Sequence, residues 1–269
     1  MVVSKRVWVI GGTGEAVALA TALAADQIPC VVTVTTAAAR RAYPESAYLT
    51  VGVGALAAGA MGEFIEAQGI GAVLDASHPF AVEISAAAIA AAATHNLPYW
   101  RYERPTVPQP SAHANLIRYV DNLEAVLNRE TLAGQRVLLT LGYRWLHHFA
   151  PWQAQSTLFA RILPSMVALE AALAAGFTPE RLIALRPPIT AALEQALWQQ
   201  WRITRVITKA SGTPGGEDTK RAIAQELGLA LTILNRPRLN YPTVCHSQPD
   251  AIARCRTWWH QHREPPDHT

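Results

Sequence analysis

The stretch Val7-Trp8-Val9-Ile10-Gly11-Gly12-Thr13-Gly14-Glu15-Ala16 decides the fold at the start of the chain. An apolar run of strand length ends at two glycines, and an Ala/Leu-rich segment, 16–25, follows with the composition of a helix. Glycines leave the backbone of such a turn bare, and the helix N-terminus offers N–H groups and a positive dipole. The stretch therefore predicts a dinucleotide site formed by Gly11, Gly12, Thr13, Gly14 and Glu15, which we call the glycine turn.

The glycine turn is an incomplete version of the G-x-G-x-x-G pattern, because Val17 stands where the third glycine would be. A tight turn between a strand and a helix that binds nothing is the alternative interpretation. The next strand bears on the choice between the two.

The end of the second predicted strand, 29–36, indicates which nucleotide binds. NAD-binding units carry Asp or Glu there, and the carboxylate bonds the 2′-hydroxyl of the ribose. This chain has Thr35 and Thr36 instead, followed by Arg40 and Arg41. Hydroxyl and guanidinium groups suit a 2′-phosphate, so the sequence favours NADPH over NADH. The alternative is that both arginines are solvated surface charges.

Composition limits the class of protein. The chain has 269 residues, which is long enough for two domains of roughly 130 residues each. Half of the residues are hydrophobic, but no run approaches the ~20 apolar residues of a membrane span. The first residues lack the layout of a signal peptide, and three scattered cysteines fit a reducing compartment. We therefore expect a cytoplasmic protein with no membrane partner.

Charge and histidine spacing argue against two kinds of ligand. The net charge is only +3, and no basic run interleaved with aromatic residues indicates nucleic acid. Among nine histidines, the close pairs are His147-His148 and His260-Gln261-His262, neither with the spacing of a metal site. The second pair is expected in a polar tail. We predict no metal, no nucleic-acid partner, and a monomer or weak homo-oligomer.

Strand and helix patterns alternate along the whole chain, which predicts parallel sheets with helices on both faces. We expect an α/β protein of two doubly wound, Rossmann-like domains with a cleft between them. The predicted domains are 1–132, which binds the dinucleotide, and 133–269, which binds the substrate. A helix is predicted over 120–129, just before the boundary. Ligands in such sheets lie beyond the carboxyl ends of the strands, so candidate residues are sought there.

One cluster of candidates is Asp75-Ala76-Ser77-His78-Pro79-Phe80-Ala81, where a strand gives way to a helix. Ser77 is a natural N-cap, and Pro79 fits the first helical turn. Capping does not explain His78 and Phe80. His78 can hold a phosphate, a ribose or a substrate carboxylate; the alternative is a histidine packed in the core or at the surface.

A second cluster, 208–216, reads Thr-Lys-Ala-Ser-Gly-Thr-Pro-Gly-Gly, again a strand entering a glycine-rich loop before a helix. Hydroxyls, glycines and Lys209 make a good anion-binding turn. The lysine precedes the glycines, so this is not the ATP-binding P-loop. Arg161 and Arg186 also end strands and, with Lys209, suit a substrate that carries several carboxylates. A flexible loop with solvated charges is the alternative.

Taken in order, these motifs resemble the precorrin-6A reductase family of corrin-ring (cobalamin) biosynthesis. The matching motifs are Gly-Gly-Thr-Gly-Glu-Ala (11–16), Asp-Ala-Ser-His-Pro-Phe-Ala (75–81), Tyr-Glu-Arg-Pro (102–105), Arg-Ile-Leu-Pro (161–164), Thr-Lys-Ala-Ser-Gly with Gly-Gly (208–216) and Asn-Arg-Pro (235–237). The His-Pro-Phe and Lys-x-Ser-Gly elements are the specific ones, since many nucleotide-binding proteins contain Gly-Gly-Thr-Gly-Glu.

The resemblance implies NAD(P)H-dependent reduction of one double bond in a tetrapyrrole macrocycle with carboxylate arms. The expected cofactor-binding residues are the glycine turn, Thr35, Thr36, Arg40, Ser77 and His78. The expected substrate-binding residues are Phe80, Arg161, Lys209, Ser211, Gly212, Gly215 and Gly216. His78 is the candidate proton donor or substrate orienter.

Two alternatives stay open. A short-chain type of NADP-dependent reductase needs a Tyr-x-x-x-Lys pair, which this sequence does not contain. A non-enzymatic NADP(H)-binding sensor would bind the nucleotide without oxidising it.

Overall fold

The structure is a computed structural model that describes residues 5–108 and 116–263. The chain forms two compact units, Met1–Pro105 with Pro237–Thr269, and Thr106–Arg236. In the described residues the strands are β1 (Arg6–Ile10), β2 (Cys30–Val34), β3 (Leu49–Val53), β4 (Ile70–Asp75), β5 (Tyr99–Tyr102), β6 (Ile117–Val120), β7 (Arg136–Leu139), β8 (Thr157–Ile162), β9 (Leu182–Ala184), β10 (Arg205–Lys209), β11 (Ala230–Leu234) and β12 (Val244–Cys245). The α-helices are α1 (Gly14–Ala25), α2 (Ala37–Arg40), α3 (Met61–Ala67), α4 (Val82–Thr94), α5 (Arg129–Leu132), α6 (Met166–Ala174), α7 (Ala191–Gln200), α8 (Glu217–Leu227) and α9 (Gln248–His262).

The first unit contains a six-stranded parallel sheet in the order β3-β2-β1-β4-β5-β12, the strand order of a Rossmann domain. Its central strands are apolar on both sides because helices cover both faces of a parallel sheet. On one face, Val7 and Val9 pack with α1 and α9. On the other, Trp8 and Ile10 pack with α3 and α4.

The second unit repeats this arrangement, with a six-stranded parallel sheet in the order β9-β8-β7-β10-β11-β6. If β7 is counted as its first strand, the order again runs 3-2-1-4-5 before the last strand. Residues of α7 and α8, among them Trp198 and Ile223, cover one face of the sheet. The prediction of two doubly wound parallel sheets is confirmed.

The units divide the chain differently from the expected boundary between residues 132 and 133. Strand β6 belongs to the second sheet, where Ile117 pairs with Leu231 of β11, while β12 and α9 belong to the first unit. The helix predicted over 120–129 is wrong: β6 ends at Val120, and α5 begins only after Asn128 caps it. Buried Leu123 and Val126 have helical spacing but lie in turns.

The polar tail expected near the C-terminus is also wrong, because His260 and His262 lie in the last turn of α9. Ser247 caps this helix, and Ala251, Cys255 and Trp258 recur at helical spacing and are buried. A Cβ on Gly71 would lie 2.6 Å from the Trp258 ring, so the sheet and α9 are in close contact there.

Two absences concern only the part of the chain that the structure describes. No helix there has the length and apolarity to cross a bilayer. No three His, Cys, Asp or Glu side chains are grouped there so that they could hold a metal ion.

We expect Trp258→Ala to lower the free energy of unfolding by about 3–5 kcal/mol, because it empties a buried indole site in the core of the first unit. Urea denaturation measures the loss. Trp259→Ala, one residue along the same helix and only partly buried, is the control and loses less. Equal losses for the two variants would contradict the packing of α9 described above.

Candidate functional site

The glycine turn follows β1, and its glycines have different structural reasons. A Cβ on Gly11 would lie 2.5 Å from the Tyr43 hydroxyl and 3.0 Å from the Thr33 carbonyl, so only glycine fits. Gly12 has φ +101°, which side chains rarely adopt. A Cβ on Gly12 or Gly14 would meet no atom within 4 Å. The turn is therefore packed against the protein at Gly11 and open at Gly12 and Gly14.

Thr13 joins this turn to the end of β4. Its hydroxyl oxygen accepts a bond from the Ala16 N–H (3.1 Å), which caps α1, and donates to the Ala76 carbonyl (2.8 Å). The first N–H groups of a helix have no acceptor within it. The open glycines and this helix start together make a cradle of the kind that fits a pyrophosphate.

Glu15 forms an ion pair with Arg104, which the sequence analysis quoted in the Tyr-Glu-Arg-Pro motif without giving it a role. Arg104 places Nε 2.9 Å from Oε1 and Nη2 3.0 Å from Oε2 of Glu15, and the Arg104 side chain is 7% exposed. The pair neutralises the carboxylate beside the helix start, where it would otherwise repel a phosphate. Glu15 thus holds Arg104 beside the glycine turn, and its binding to the cofactor stays a prediction.

Thr35, Thr36 and Arg40 are exposed and follow β2, the neighbour of β1. The Thr36 hydroxyl caps α2 by accepting from the Ala39 N–H (3.2 Å), and Arg40 is the last residue of that short helix. The carboxyl ends of β2, β1 and β4 are adjacent, so these residues share one edge of the sheet with the glycine turn.

Asp75, at the end of β4, is fully buried and collects four hydrogen-bond donors. They are the Ser77 N–H (2.9 Å), the Ser85 hydroxyl (2.6 Å), the Tyr99 hydroxyl (2.6 Å) and Arg101 Nη1 (2.9 Å). Burial and the Asp75 carboxylate raise the pKa of Tyr99. Burial acts to lower the pKa of Arg101, but Asp75 and Glu103 raise it overall. Tyr99 therefore stays neutral and Arg101 stays charged.

The prediction that Ser77 is an N-cap is wrong, because α4 begins at Val82 and Ala81 precedes it. The Ser77 hydroxyl instead accepts a bond from Arg101 Nη1 (3.0 Å). The buried ion pair is the competing interaction, because it engages Asp75 and Ser77. The turn comes after them, at Pro79 and Phe80, and the Ala81 N–H closes it by donating to the His78 carbonyl (2.8 Å). Pro79 is accordingly part of this turn and not of a helix.

His78 is half-buried in this turn, and its ring has a defined orientation. Nδ1 accepts a bond from the Phe80 N–H (3.2 Å), and the two rings are 5.9 Å apart. A neutral imidazole whose Nδ1 accepts carries its proton on Nε2. His78, Phe80 and the glycine turn lie at the same sheet edge, so the structure brings these predicted residues together.

In the second unit, Lys209 ends β10 and lies over an aromatic ring. Its ammonium is 5.2 Å from the centre of the Trp145 ring. Burial, and then the charge of Arg144, lower the pKa of Lys209 to about 8. The lysine is therefore still mainly charged at neutral pH.

The loop after Lys209 is closely packed at its glycines. A Cβ on Gly215 would lie 1.9 Å from the Ser211 hydroxyl, so Ser211 occupies the space that a side chain would need. Gly212 and Gly216 have φ of +73° and +68°. The Gly212 N–H donates to Glu217 Oε2 (2.9 Å), which fixes the loop to the first turn of α8.

Three buried charged residues of α8 support this loop, and sequence reasoning missed them. Lys220 donates to the carbonyls of Gly215 (2.8 Å) and Gly216 (3.0 Å), and burial lowers its pKa to about 8. Arg221 bonds Glu217 Oε1 (2.6 Å). The i, i+4 spacing of Glu217 and Arg221 was the available signal.

Arg161, which the sequence predicts to bind the substrate, already forms an ion pair with an acidic residue. Its Nη1 bonds Glu194 of α7, which also accepts from Trp198 Nε1 (2.9 Å). The Glu194 side chain is 4% exposed, so this is a largely buried ion pair. Binding of a substrate carboxylate by Arg161 stays a prediction.

Two doubly wound sheets, with a glycine turn in the first and cations at the strand ends of the second, define a class: nucleotide-dependent α/β enzymes. A family model described as "Precorrin-6x reductase CbiJ/CobK" matches residues 6–256. The chain belongs to this family of reductases, which are nicotinamide-dependent and act on a CH–CH bond. The resemblance seen in the sequence is confirmed.

Relatives and a solved structure agree with this assignment. The chain is 46% identical over 235 residues to "Cobalt-precorrin-6A reductase" of Synechocystis sp., covering 86% of this chain and 88% of the relative. It is 34% identical over 241 residues to "Precorrin-6A reductase" of Rhodococcus erythropolis, covering 87% and 90%. The solved structure "CobK precorrin-6A reductase" is 26% identical, has a TM-score of 0.76, and covers 96% of this chain and 97% of its own.

We expect Asp75→Asn to lower the free energy of unfolding by about 3–5 kcal/mol, because it leaves the buried Arg101 charge without its carboxylate. Chemical denaturation measures this loss. Asp250→Asn is the control, since the Asp250–Arg254 pair is exposed and contributes less than about 1 kcal/mol. A loss for Asp75→Asn as small as that of the control would show that the network does not hold the turn.

Proposed function

We propose that the chain uses NADPH to reduce one double bond of cobalt-precorrin-6A, with cobalt-free precorrin-6A as the second candidate substrate. The observation that carries this proposal is the family match over nearly the whole chain. The Synechocystis relative is named for the cobalt-containing substrate, which favours that form. The macrocycle gains a hydride at one carbon and a proton at the other end of the reduced system.

The reduced nicotinamide supplies the hydride, and this chain binds and orients the reactants. We place the pyrophosphate of the nucleotide on the glycine turn, because the turn is open at Gly12 and Gly14. The 2′-phosphate is then bound near Thr35, Thr36 and Arg40. These exposed hydroxyl and guanidinium groups support NADPH over NADH.

His78 is the proposed proton donor or substrate orienter in the first unit. The bond from the Phe80 N–H to Nδ1 belongs to the neutral ring, whose Nε2–H can donate a hydrogen bond that orients the substrate. Transfer of a proton requires the imidazolium form, in which Nδ1 no longer accepts from Phe80. The Ser77 N–H, in the residue before His78, donates to the Asp75 carboxylate and holds this segment in place. Ser77 then acts on the cofactor side by fixing this turn, since its hydroxyl is bound to Arg101.

The second unit is proposed to bind the acidic arms of the macrocycle. Lys209 supplies a cation, and Ser211, Gly212, Gly215 and Gly216 form the loop behind it. Phe80 offers an apolar ring in the first unit. A monomer or weak homo-oligomer in the cytoplasm is the accompanying proposal. Three buried, unpaired cysteine thiols support the location, since a reducing compartment keeps thiols free.

The direct test adds cobalt-precorrin-6A, and separately precorrin-6A, to the protein with NADPH. We expect the absorbance of the reduced nicotinamide to fall in proportion to the macrocycle added, and the product to gain two hydrogens by mass. NADPH binding without loss of absorbance on either macrocycle would instead identify a sensor. The preference between the two macrocycles is given by the ratio of their kcat/KM values.

The choice of nucleotide is tested with Arg40→Gln. We expect the KM for NADPH to rise about tenfold, because a charge-assisted bond to the 2′-phosphate is lost, while the KM for NADH is unchanged. Arg129→Gln is the control, an exposed arginine of the second unit outside the proposed nucleotide site. Equal effects of Arg40→Gln on NADPH and NADH would refute the placement of the 2′-phosphate.

A further inference from the structure

The segment after β7 brings an arginine and a tryptophan to Lys209. A run of 3-10 helix, Tyr143–Trp152, starts at Gly142, whose φ of +84° turns the chain away from the strand. Trp145 lies under the Lys209 ammonium, and Arg144 is close enough to lower the pKa of the lysine. Nothing in the sequence patterns had pointed to Arg144 or Trp145 as binding residues.

Arg144, Trp145 and Lys209 lie at the kind of position in a parallel sheet where ligands usually bind. From β7 the chain proceeds to β8 on one side, while β10 lies on the other side. Connections that leave in opposite directions open a crevice at the carboxyl ends of the two strands. In the first sheet, β1 and β4 flank the equivalent point, which holds the glycine turn and the His78 turn. Trp145 and Lys209 occupy this point in the second sheet.

The carboxyl ends of β7 and β10, below Trp145 and Lys209, are polar and held by hydrogen bonds. The Thr140 hydroxyl, just after β7, donates to the Thr208 hydroxyl of β10 (2.8 Å). The Thr140 N–H donates to the Ile207 carbonyl (3.0 Å), which continues the ladder between the two strands. Residues on both sides of the crevice are therefore held by the sheet itself.

Charge at this point favours an acidic ligand. Arg144 and Lys209 repel each other, and this repulsion is part of why the lysine gives up its proton more easily. An anion that contacts both cations would relieve the repulsion. Trp145 adds an aromatic surface, half-buried, that suits a flat conjugated ring.

We propose that Arg144 and Trp145 join Lys209 in binding the macrocycle, with Trp145 contacting the conjugated ring and the two cations binding carboxylate arms. This inference rests on the proposed function, since it takes the acidic tetrapyrrole as the ligand. It adds two specificity-determining residues that lie outside the glycine-rich loop of the second unit.

The test compares Trp145→Leu with Trp152→Leu, a matched control at the other end of the same segment. For Trp145→Leu we expect the KM for cobalt-precorrin-6A to rise about tenfold, the size of a lost aromatic stacking contact, with the KM for NADPH unchanged. Trp145→Phe restores most of the affinity because it keeps a ring. Trp152→Leu keeps the wild-type KM. A wild-type KM for Trp145→Leu would overturn the assignment of Trp145.

The charge is tested with Arg144→Gln against Arg202→Gln, an exposed arginine that precedes β10 and so lies at the opposite edge of the sheet. We expect Arg144→Gln alone to raise the macrocycle KM, about fivefold, with a weaker dependence on salt.

The pH dependence of the macrocycle KM is a second test of the charge. The KM of the wild type should rise above pH 8 as Lys209 loses its proton. Without Arg144 the lysine holds its proton more strongly, so the climb begins at higher pH. An unchanged profile would overturn the pairing of the two cations.

Quenching of tryptophan fluorescence by cobalt-precorrin-6A, without NADPH, separates the inference from the proposed function. If wild type binds the macrocycle but does not oxidise NADPH, the proposed reaction fails. Weaker binding by Trp145→Leu and Arg144→Gln then still supports this site. If wild type oxidises NADPH and both variants bind the macrocycle as wild type does, only the inference fails. Thermal melting of each variant verifies that it is folded.

Discussion

The ion pair between Asp75 and Arg101 is the interaction on which the first unit depends. Both side chains are almost completely excluded from solvent, so each charge needs the other. The carboxylate also binds the Ser77 N–H, which sets the turn that carries His78. Thr13 then bonds the Ala76 carbonyl just before that turn, so the start of α1 is fixed to the same point. One buried carboxylate thereby determines the geometry of two predicted binding segments.

The two units use one strand order, and each contains a buried ion pair, Arg101–Asp75 in the first and Arg161–Glu194 in the second. They differ in the cations near their proposed ligands. In the first unit, arginines at the strand ends are neutralised by Asp75, Glu103 and Glu15. In the second, Lys209 faces an indole and a second cation, and Lys220 is held by backbone carbonyls. Paired charges suit a rigid support for backbone N–H groups that bind phosphate. Converging cations suit an acidic ligand, as proposed for the second unit.

Sequence reasoning succeeded where a local signal was sufficient. The apolar run before the glycine turn predicted β1, and the alternation of strand and helix patterns predicted two parallel sheets; the structure contains both. The contributions of Arg101 and Tyr99 could not be found in this way. Arg101 stands opposite Asp75 only because β5 pairs with β4 in that register. A lone arginine in a short strand gives no hint of such a partner.

The last strand and helix were missed for a related reason. Their signals, a Ser247 cap and buried residues at helical spacing, were present, but they lie beyond the second unit and were assigned to a tail. Strand β6 was also missed. Buried Leu123 and Val126 follow it at the spacing of a helix, so a helix was predicted from residue 120 onward. Which sheet accepts a short strand depends on pairing between distant segments, and the pattern of one segment does not contain that information.

The return of the chain to the first unit at Pro237 has a consequence for biosynthesis. A ribosome completes Thr106–Arg236 before it makes β12 and α9, so the inserted unit has all of its strands first. The first five strands of the other sheet meanwhile lack β12, and the face that α9 covers stays exposed. Nascent chains usually fold from the N-terminus onward. Here the second unit has its complete sequence during synthesis before the first unit receives β12 and α9.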